Sequence, residues 1–404
     1  MHALRAPVAF DGNRFVPGGA TVLVDADTIV GVEAYDYAVP VACGVTTYDG
    51  TLLPGLFDAH VHLVSDGGMG NLERAGGLSD DEVDTAIAQS LRRQVEAGVT
   101  TVRDLGDTGY RTLVARDRQD PGLPRIVAAG PPMTVPDGHC HYLGGCVEGP
   151  GAIRDAVRER AERGVDVVKV MASGGIVTLG TDMFGTQFAP DDLRSLVDIA
   201  HAHDLEVLAH AHSLAGIEHA LAAGVDGIEH FTGLTEGGIR VPDEVLDQVV
   251  SRGVTVDLTL GFDREVLATL PGLPPNLEEA MRRTGLDFDS SHAARLVIAG
   301  RLRERGARVV SGVDSGAAPL KPHGSIALAI DDLLLAGYPI AEALATATSV
   351  AAQACGLGDV TGALVSGLAA DLVVVDGDLR SDPEALRRPV AVLVRGIDPT
   401  DIRE

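Results

Sequence analysis

The sequence predicts an α/β fold: a (β/α)8 TIM-type barrel with a small discontinuous β-sandwich domain built from both chain ends. Three observations predict it. Through the middle of the chain, apolar runs of about four to eight residues alternate with helical stretches of about ten or more, the pattern of parallel strands joined by helices. Both chain ends read instead as short strands with turns. The apolar runs of the middle also end in His, Lys or Asp. This gathers polar chemistry at one end of the strands and favours closure over a doubly wound open sheet made of the same units.

The elements follow in order. ATVLVDADTIVGVEAY alternates apolar and polar residues around an Asp-Ala-Asp turn, and AADLVVVDGD and PVAVLVRG near the other end read the same way. Residues 1–52 and 360–404 therefore form the small β domain, and 53–359 the barrel. Barrel strands are expected at 55–63, 100–105, 125–130, 165–172, 206–212, 227–230, 255–260 and 308–315. Helices are expected at 80–97, 151–163, 190–203, 214–223 and 242–251, among others.

Composition narrows the function classes. The 404 residues carry 58 acidic and 32 basic side chains, a formal charge of −26, which excludes a nucleic-acid binder relying on broad positive charge. Hydrophobic residues at 45% are ample for a large core and exclude a fully disordered chain. There is no apolar run fit for a signal peptide or a membrane span, so a cytoplasmic protein acting on a small molecule is expected, with no membrane or nucleic-acid partner. The four cysteines are too few for a disulfide scaffold in a chain of this length and read as free thiols. Only two of the 32 basic residues, Lys169 and Lys321, are lysines, which marks them as places where arginine will not serve.

The polar strand ends converge. Strand one ends in His60-Val61-His62, and residues two apart on a strand point the same way, so both imidazoles reach one ion. Strand four offers Lys169, strand five His210 and His212, strand six His230, and strand eight Asp314. Imidazole and carboxylate suit zinc and similar divalent metals. A lone His-x-His is a weak motif, and a single His at a strand end is commonly a hydrogen-bonded core residue. The coincidence at one end of five strands carries the argument, because unpaired buried polar groups are costly. Lys169 lies in the apolar run VDVVKVMA. Burial and nearby cations favour its neutral amine, which reacts with carbon dioxide to give an anionic carbamate able to bridge two metals; arginine stays protonated and cannot. Arg103 and Asp104, adjacent on strand two, read as a structural ion pair.

LLPGLFDAHVHL, VDVVKVMASGGI, VLAHAH, GVDGIEH and ALATATSVAAQACGLGDVTGALVSGLAADLVVVDGD, in this order, resemble the amidohydrolase superfamily of metal-dependent hydrolases over essentially the whole chain. The pattern is most similar to the branch containing binuclear Xaa-Pro and Xaa-Arg/Lys dipeptidases, with imidazolonepropionase a more distant relative. The resemblance implies that His60 and His62 bind one metal and His210 and His230 a second, with carboxylated Lys169 between them. It implies that Asp314 binds the first metal and is the general base, and that a hydroxide bridging the metals attacks an amide carbonyl. His-rich ligation leans to zinc for the two ions. The loop PDGHCHYLGG brings His139 and His141 near the same face, and the resemblance implies a substrate contact, assigned to His141; loop packing or a third metal site are the other readings. His323 matches a histidine common in this branch, and Lys321 suits a substrate carboxylate, its plainer reading being a surface charge. His212 stands where basic-residue dipeptidases often carry a carboxylate-holding tyrosine, which opens the substrate range to N-acyl amino acids and lactams. The resemblance also implies a homo-oligomer.

The expected reaction is cleavage of an amide or peptide bond in a small substrate such as a dipeptide or N-acyl amino acid. The alternatives are a mononuclear cyclic-amide hydrolase like imidazolonepropionase, a ring deaminase, a lactonase, and a non-catalytic scaffold. A bridging lysine argues against the mononuclear forms, and the complete ligand set argues against the scaffold.

Overall fold

The computed structural model describes residues 1–402. The N-terminal segment forms a four-stranded sheet in the order Thr28–Ala34, Ala20–Asp25, His2–Ala6, Gly44–Thr47. The predicted Asp-Ala-Asp turn joins the first two of these, with Ala26 in the left-handed region (φ 52°). A second, five-stranded mixed sheet draws on both ends of the chain, in the order Pro389–Leu393, Leu372–Val375, Thr51–Pro54, Val8–Phe10, Phe15–Val16. Leu4, Val22 and Ile29 of the first sheet share one buried cluster with Leu52, Leu372 and Val374 of the second, so period-two alternation has placed the inward faces of both against each other.

The middle of the chain supplies eight parallel strands: β1 (Leu56–Val61), β2 (Val99–Asp104), β3 (Arg125–Ala128), β4 (Val168–Met171), β5 (Val207–His210), β6 (Gly227–Glu229), β7 (Thr255–Asp257) and β8 (Val309–Val310). They lie in two sheets, β3-β2-β1 and β4-β5-β6-β7-β8. Backbone hydrogen bonds connect the sheets at both flanks. Met133 N donates to Lys169 O (2.8 Å) and Met171 N to Met133 O (2.9 Å) on one side. Ala59 N donates to Ser311 O (3.0 Å) and His62 N to Ser315 O (2.7 Å) on the other. β1, β2, β4 and β5 are buried at every position, as strands covered on both faces must be.

Helices form where apolar periodicity meets an end signal. Asp80–Glu96 begins with a capping box: Ser79 Oγ accepts from Glu82 N while the Glu82 carboxylate accepts from Ser79 N at 2.9 Å. Its Val83, Ile87 and Leu91 face the core. Gly149–Arg163, Pro190–His201, Leu214–Ala223 and Asp243–Arg252 follow β3 to β6 close to their expected bounds. Between β7 and β8 the chain is longer, with Arg264–Leu267, Pro275–Thr284 and Phe288–Glu304. Asp287 caps the last of these by accepting from Ser290 N at 2.7 Å. No helix among the described residues is long and apolar enough to cross a membrane.

Candidate active site

The C-terminal ends of the parallel strands open into one cavity. Six of the chain's 13 histidines line it: His60, His62, His139, His210, His212 and His230. Lys169, Thr259, Arg295, Asp314 and Lys321 join them on its polar lining, with the thiol of Cys140.

Of three groups of possible ligand atoms, each with all atoms within 4.8 Å of one another, two lie wholly on this lining, while Glu229 and Asp257 of the third, which also holds His60, lie outside it. The first is His60, His62 and Asp314; the Asp314 carboxylate lies 3.4 Å from His60 Nε2 and 3.2 Å from His62 Nε2. The second is His210, His212 and His230, whose rings sit 4.5–4.7 Å apart. His212, expected as a substrate contact, thus lies beside the two expected ligands. The groups adjoin, with the His60 and His230 rings 5.2 Å apart. His230 and Asp314 both have positive φ, 69° and 67°, where non-glycine residues are uncommon. Such strain, on the order of 1–3 kcal/mol per residue, persists where surrounding structure fixes the backbone for a function.

Each ring has one nitrogen tied to the surrounding fold, and the second nitrogens of His60 and His62 face Asp314. Nδ1 of His60 meets Glu229 (2.8 Å), that of His62 Gly106 O (3.0 Å), that of His230 Thr259 Oγ1 (2.9 Å) and that of His212 Thr232 Oγ1 (2.9 Å). For His210 it is Nε2 that meets a partner, Gly174 O at 3.1 Å. This is how metal-binding imidazoles are held in one tautomer and orientation. Burial lowers His60 to about 4 and His212 to about 3, and takes His210 and His230 well below the usual range, so these rings are neutral and ready to ligate. Burial pushes Asp314 the other way, but His60 and His62 beside it prevail and hold its carboxyl well below the ordinary range.

Lys169 lies among these groups, 1% exposed, and its Nζ has no hydrogen-bond partner. Burial lowers its pKa, against the pull of Glu229 and Asp314. A buried amine without a partner is expensive.

Behind the cavity lies a shell that sequence reading missed. Arg103 does not pair with Asp104, as expected from adjacency. Neighbours on a strand point to opposite faces, and Arg103 instead reaches Glu229 at 3.2 Å and Ala59 O at 2.8 Å. Asp104 accepts from the backbone of Leu63 and Gly106. Glu229 is thereby clamped between Arg103 and His60. Its position directly before His230 in GIEH was the available signal. Asp58 accepts from Ser315 Oγ (2.7 Å), Val313 N (3.0 Å) and Gln94 (3.1 Å), which locks the loop carrying Asp314 onto β1. His323 belongs to this shell, meeting Ser65 O at 2.8 Å and Gln94 at 3.3 Å, and is not part of the cavity lining.

The loop after β3 contributes His139, whose ring lies 4.5 Å from that of His210 and whose Nδ1 meets Thr178 Oγ1 at 2.9 Å. His141 is half-buried outside the lining and meets Gly138 O at 2.9 Å. Lys321 is buried, not a surface charge: its Nζ donates to the carbonyls of Thr259 (2.8 Å), Leu260 (3.3 Å) and Gly261 (3.3 Å). Arg295, within helix Phe288–Glu304, donates to Leu258 O and borders the same space. Nothing in its local pattern distinguished it from the other arginines.

Glu229→Gln is expected to destabilise the fold by about 3–5 kcal/mol, because it leaves Arg103 buried without its counter-charge. Burial opposes ionisation of Glu229, yet Arg103, Lys169 and His60 bring its pKa from 4.5 down to about 2. The stabilisation is therefore present above pH 4.5 and lost as pH falls toward 2, and urea unfolding at several pH values measures both effects.

Residues 51–397 match the Amidohydrolase family. An uncharacterized protein of Mycobacterium tuberculosis is 32% identical over 359 residues, 88% of each chain. The ochratoxinase of Aspergillus niger is 26% identical over 372 residues, 84% of this chain and 73% of that one. The crystal structure of a Xaa-Pro dipeptidase with bound methionine in its active site superposes with a TM-score of 0.84 at 23% identity, covering 98% of this chain and 99% of that one, and shows the same fold. With the family matched across nearly the whole chain, and histidine clusters fit for metal at the strand ends, the protein is an enzyme of the amidohydrolase family.

Proposed function

We propose that this amidohydrolase cleaves the amide or peptide bond of a small substrate, a dipeptide or an N-acyl amino acid, at a binuclear metal centre. The observation that carries the reading is the set of tied, buried imidazoles around a buried lysine amine with no partner of its own. His60, His62 and Asp314 would hold one divalent ion, and His210 and His230 the other. Lys169, as its carbamate, would lie between them, and zinc suits the ligand set. When bound, such ions polarise a scissile carbonyl and lower the pKa of water.

The chain's own groups do the rest. Asp314, ionised throughout the physiological range, takes a proton from the attacking water and passes it to the leaving nitrogen. Glu229 and Arg103 fix the ring of His60. The substrate contact expected of His141 passes in this reading to His139, which lines the cavity. His212 faces the substrate beside the second ion, with Lys321 taking a carboxylate. The bonds that join the two parallel sheets at both flanks support one closed barrel beneath this site.

The test is hydrolysis of a dipeptide and N-acyl amino acid library by protein with two equivalents of zinc verified by mass spectrometry. Release of a free amino acid is expected; its absence from fully metallated protein would overturn the reading in favour of lactams or lactones. A pH effect accompanies it. Burial and the neighbouring Arg295 bring Lys321 down to about 7. Its charge is present below pH 7 and lost above, so KM for carboxylate substrates is expected to rise as pH climbs through about 7, with kcat little changed. Lys321→Met should remove that limb of the KM profile.

A further inference from the structure

A second chamber adjoins the metal-facing cavity and shares Ile176, His212, Phe262 and Arg295 with it. Helices Pro275–Thr284 and Phe288–Glu304 and the loop after β6 wall it, and its surface is mainly that of Leu234, Ile239, Leu277, Ala280, Met281 and Phe288. Along it His212 is tied to Thr232, Thr284 to Ala280 O and His292 Nε2 to Asp332, while His292 Nδ1 and Arg295 Nε are buried without a partner. An apolar group gains from entering such a space, and a charged one loses its solvation.

Two basic side chains stand by the junction of the two spaces: Arg295 lines both, and Lys321 lines the metal-facing cavity. Arg295 and Lys321 are 7% and 5% exposed, and no carboxylate of the described residues lies within salt-bridge distance of either. Both donate to backbone carbonyls of residues 258–261, and Arg295 Nε is buried without a partner. The ring of Phe262 lies against both, 3.5 Å from Lys321 Nζ and 5.4 Å from Arg295 Cζ. Buried cations are ordinarily matched by an anion, and here the open side of the pair is the cavity.

We propose that the substrate is an N-acylated or peptide-linked α-amino acid with a large apolar side chain, its carboxylate held by Arg295 and Lys321 and its side chain seated in the second chamber. Arg295 stands on the wall common to both spaces, and an α-carboxylate and its side chain leave the same carbon. One anchor there therefore fixes both groups while the acyl nitrogen points back toward the strand ends. The assignment rests on the amide-hydrolase reading and narrows it to a leaving group.

The experiment compares zinc-loaded full-length protein on the N-acetyl derivatives of L-phenylalanine, L-leucine, glycine and L-glutamate, and on N-acetyl-L-phenylalaninamide. The phenylalanine and leucine acids are expected to exceed the glycine and glutamate acids in kcat/KM by about tenfold or more, and capping the carboxylate should cost a similar factor. Ala280→Trp, which fills the chamber, should collapse the phenylalanine-over-glycine ratio, and Arg295→Gln should collapse the acid-over-amide ratio. In parallel, calorimetry measures binding of free L-phenylalanine, glycine and L-phenylalaninamide to the wild-type protein. Selective binding of phenylalanine with no amide cleaved would sink the hydrolase reading and leave this recognition standing. Hydrolysis or binding indifferent to side chain and carboxylate, or favouring glycine or glutamate, would overturn the recognition and leave the hydrolase reading intact.

Discussion

Lys169→Ala is expected to yield a folded protein that holds at most one ion and turns over substrate on the order of 10³-fold more slowly, about 4 kcal/mol of lost transition-state stabilisation. The fold should survive because Nζ makes no hydrogen bond and its removal strands no partner. Every other residue of β4 is apolar and buried, so the strand keeps its packing. What is lost is the one side chain of the cavity that can turn from a neutral amine into a two-oxygen anion between the histidine groups. Lys169→Arg should fare no better, since a guanidinium stays protonated and repels the ions it would face. Metal stoichiometry by mass spectrometry and kcat/KM on the same preparation decide the matter. Two bound ions with full activity in the alanine variant would remove the bridging role altogether.

The second large effect is Asp314→Asn, for which kcat is expected to fall roughly 10²–10⁴-fold, the range for loss of a positioned general base. Asparagine keeps the size of the side chain. It also tolerates the left-handed backbone at this position (φ 67°) better than alanine, so the change tests proton transfer and not folding. The KM for substrate should move far less than kcat. Retained kcat in a variant with normal metal content would assign the base to another group, such as His139, which also lines the cavity.

The candidate ligand set was legible because it obeys local rules. His60 and His62 share a direction through the two-residue period of a strand, and each remaining candidate closes an apolar run. Lys169 stood out only against the chain's near-exclusive use of arginine. The supporting shell was less legible, since its pairings cross between strands far apart in sequence. Glu229 reaches His60 across 169 positions, and Asp58 reaches Ser315 across 257. Adjacency misled for Arg103 and Asp104, where pleating sends neighbours to opposite faces. In the loop after β3, spacing alone could not choose between His139 and His141, because the turn around Cys140 (φ 57°) decides which ring faces inward. Arg295 and the apolar chamber depend on how two helices between β7 and β8 fold back over the strand ends, which no local pattern records.

Both lysines of the chain lie inside the same cavity, and the rest of its basic side chains are guanidinium groups. The exterior therefore offers no ε-amine to acylating reagents, lysine cross-linkers or lysine-directed conjugation. Any ε-amine modification that does occur reports entry into the reaction chamber. Protection of those two nitrogens by a bound ligand then becomes a readout of occupancy that requires no knowledge of the reaction catalysed.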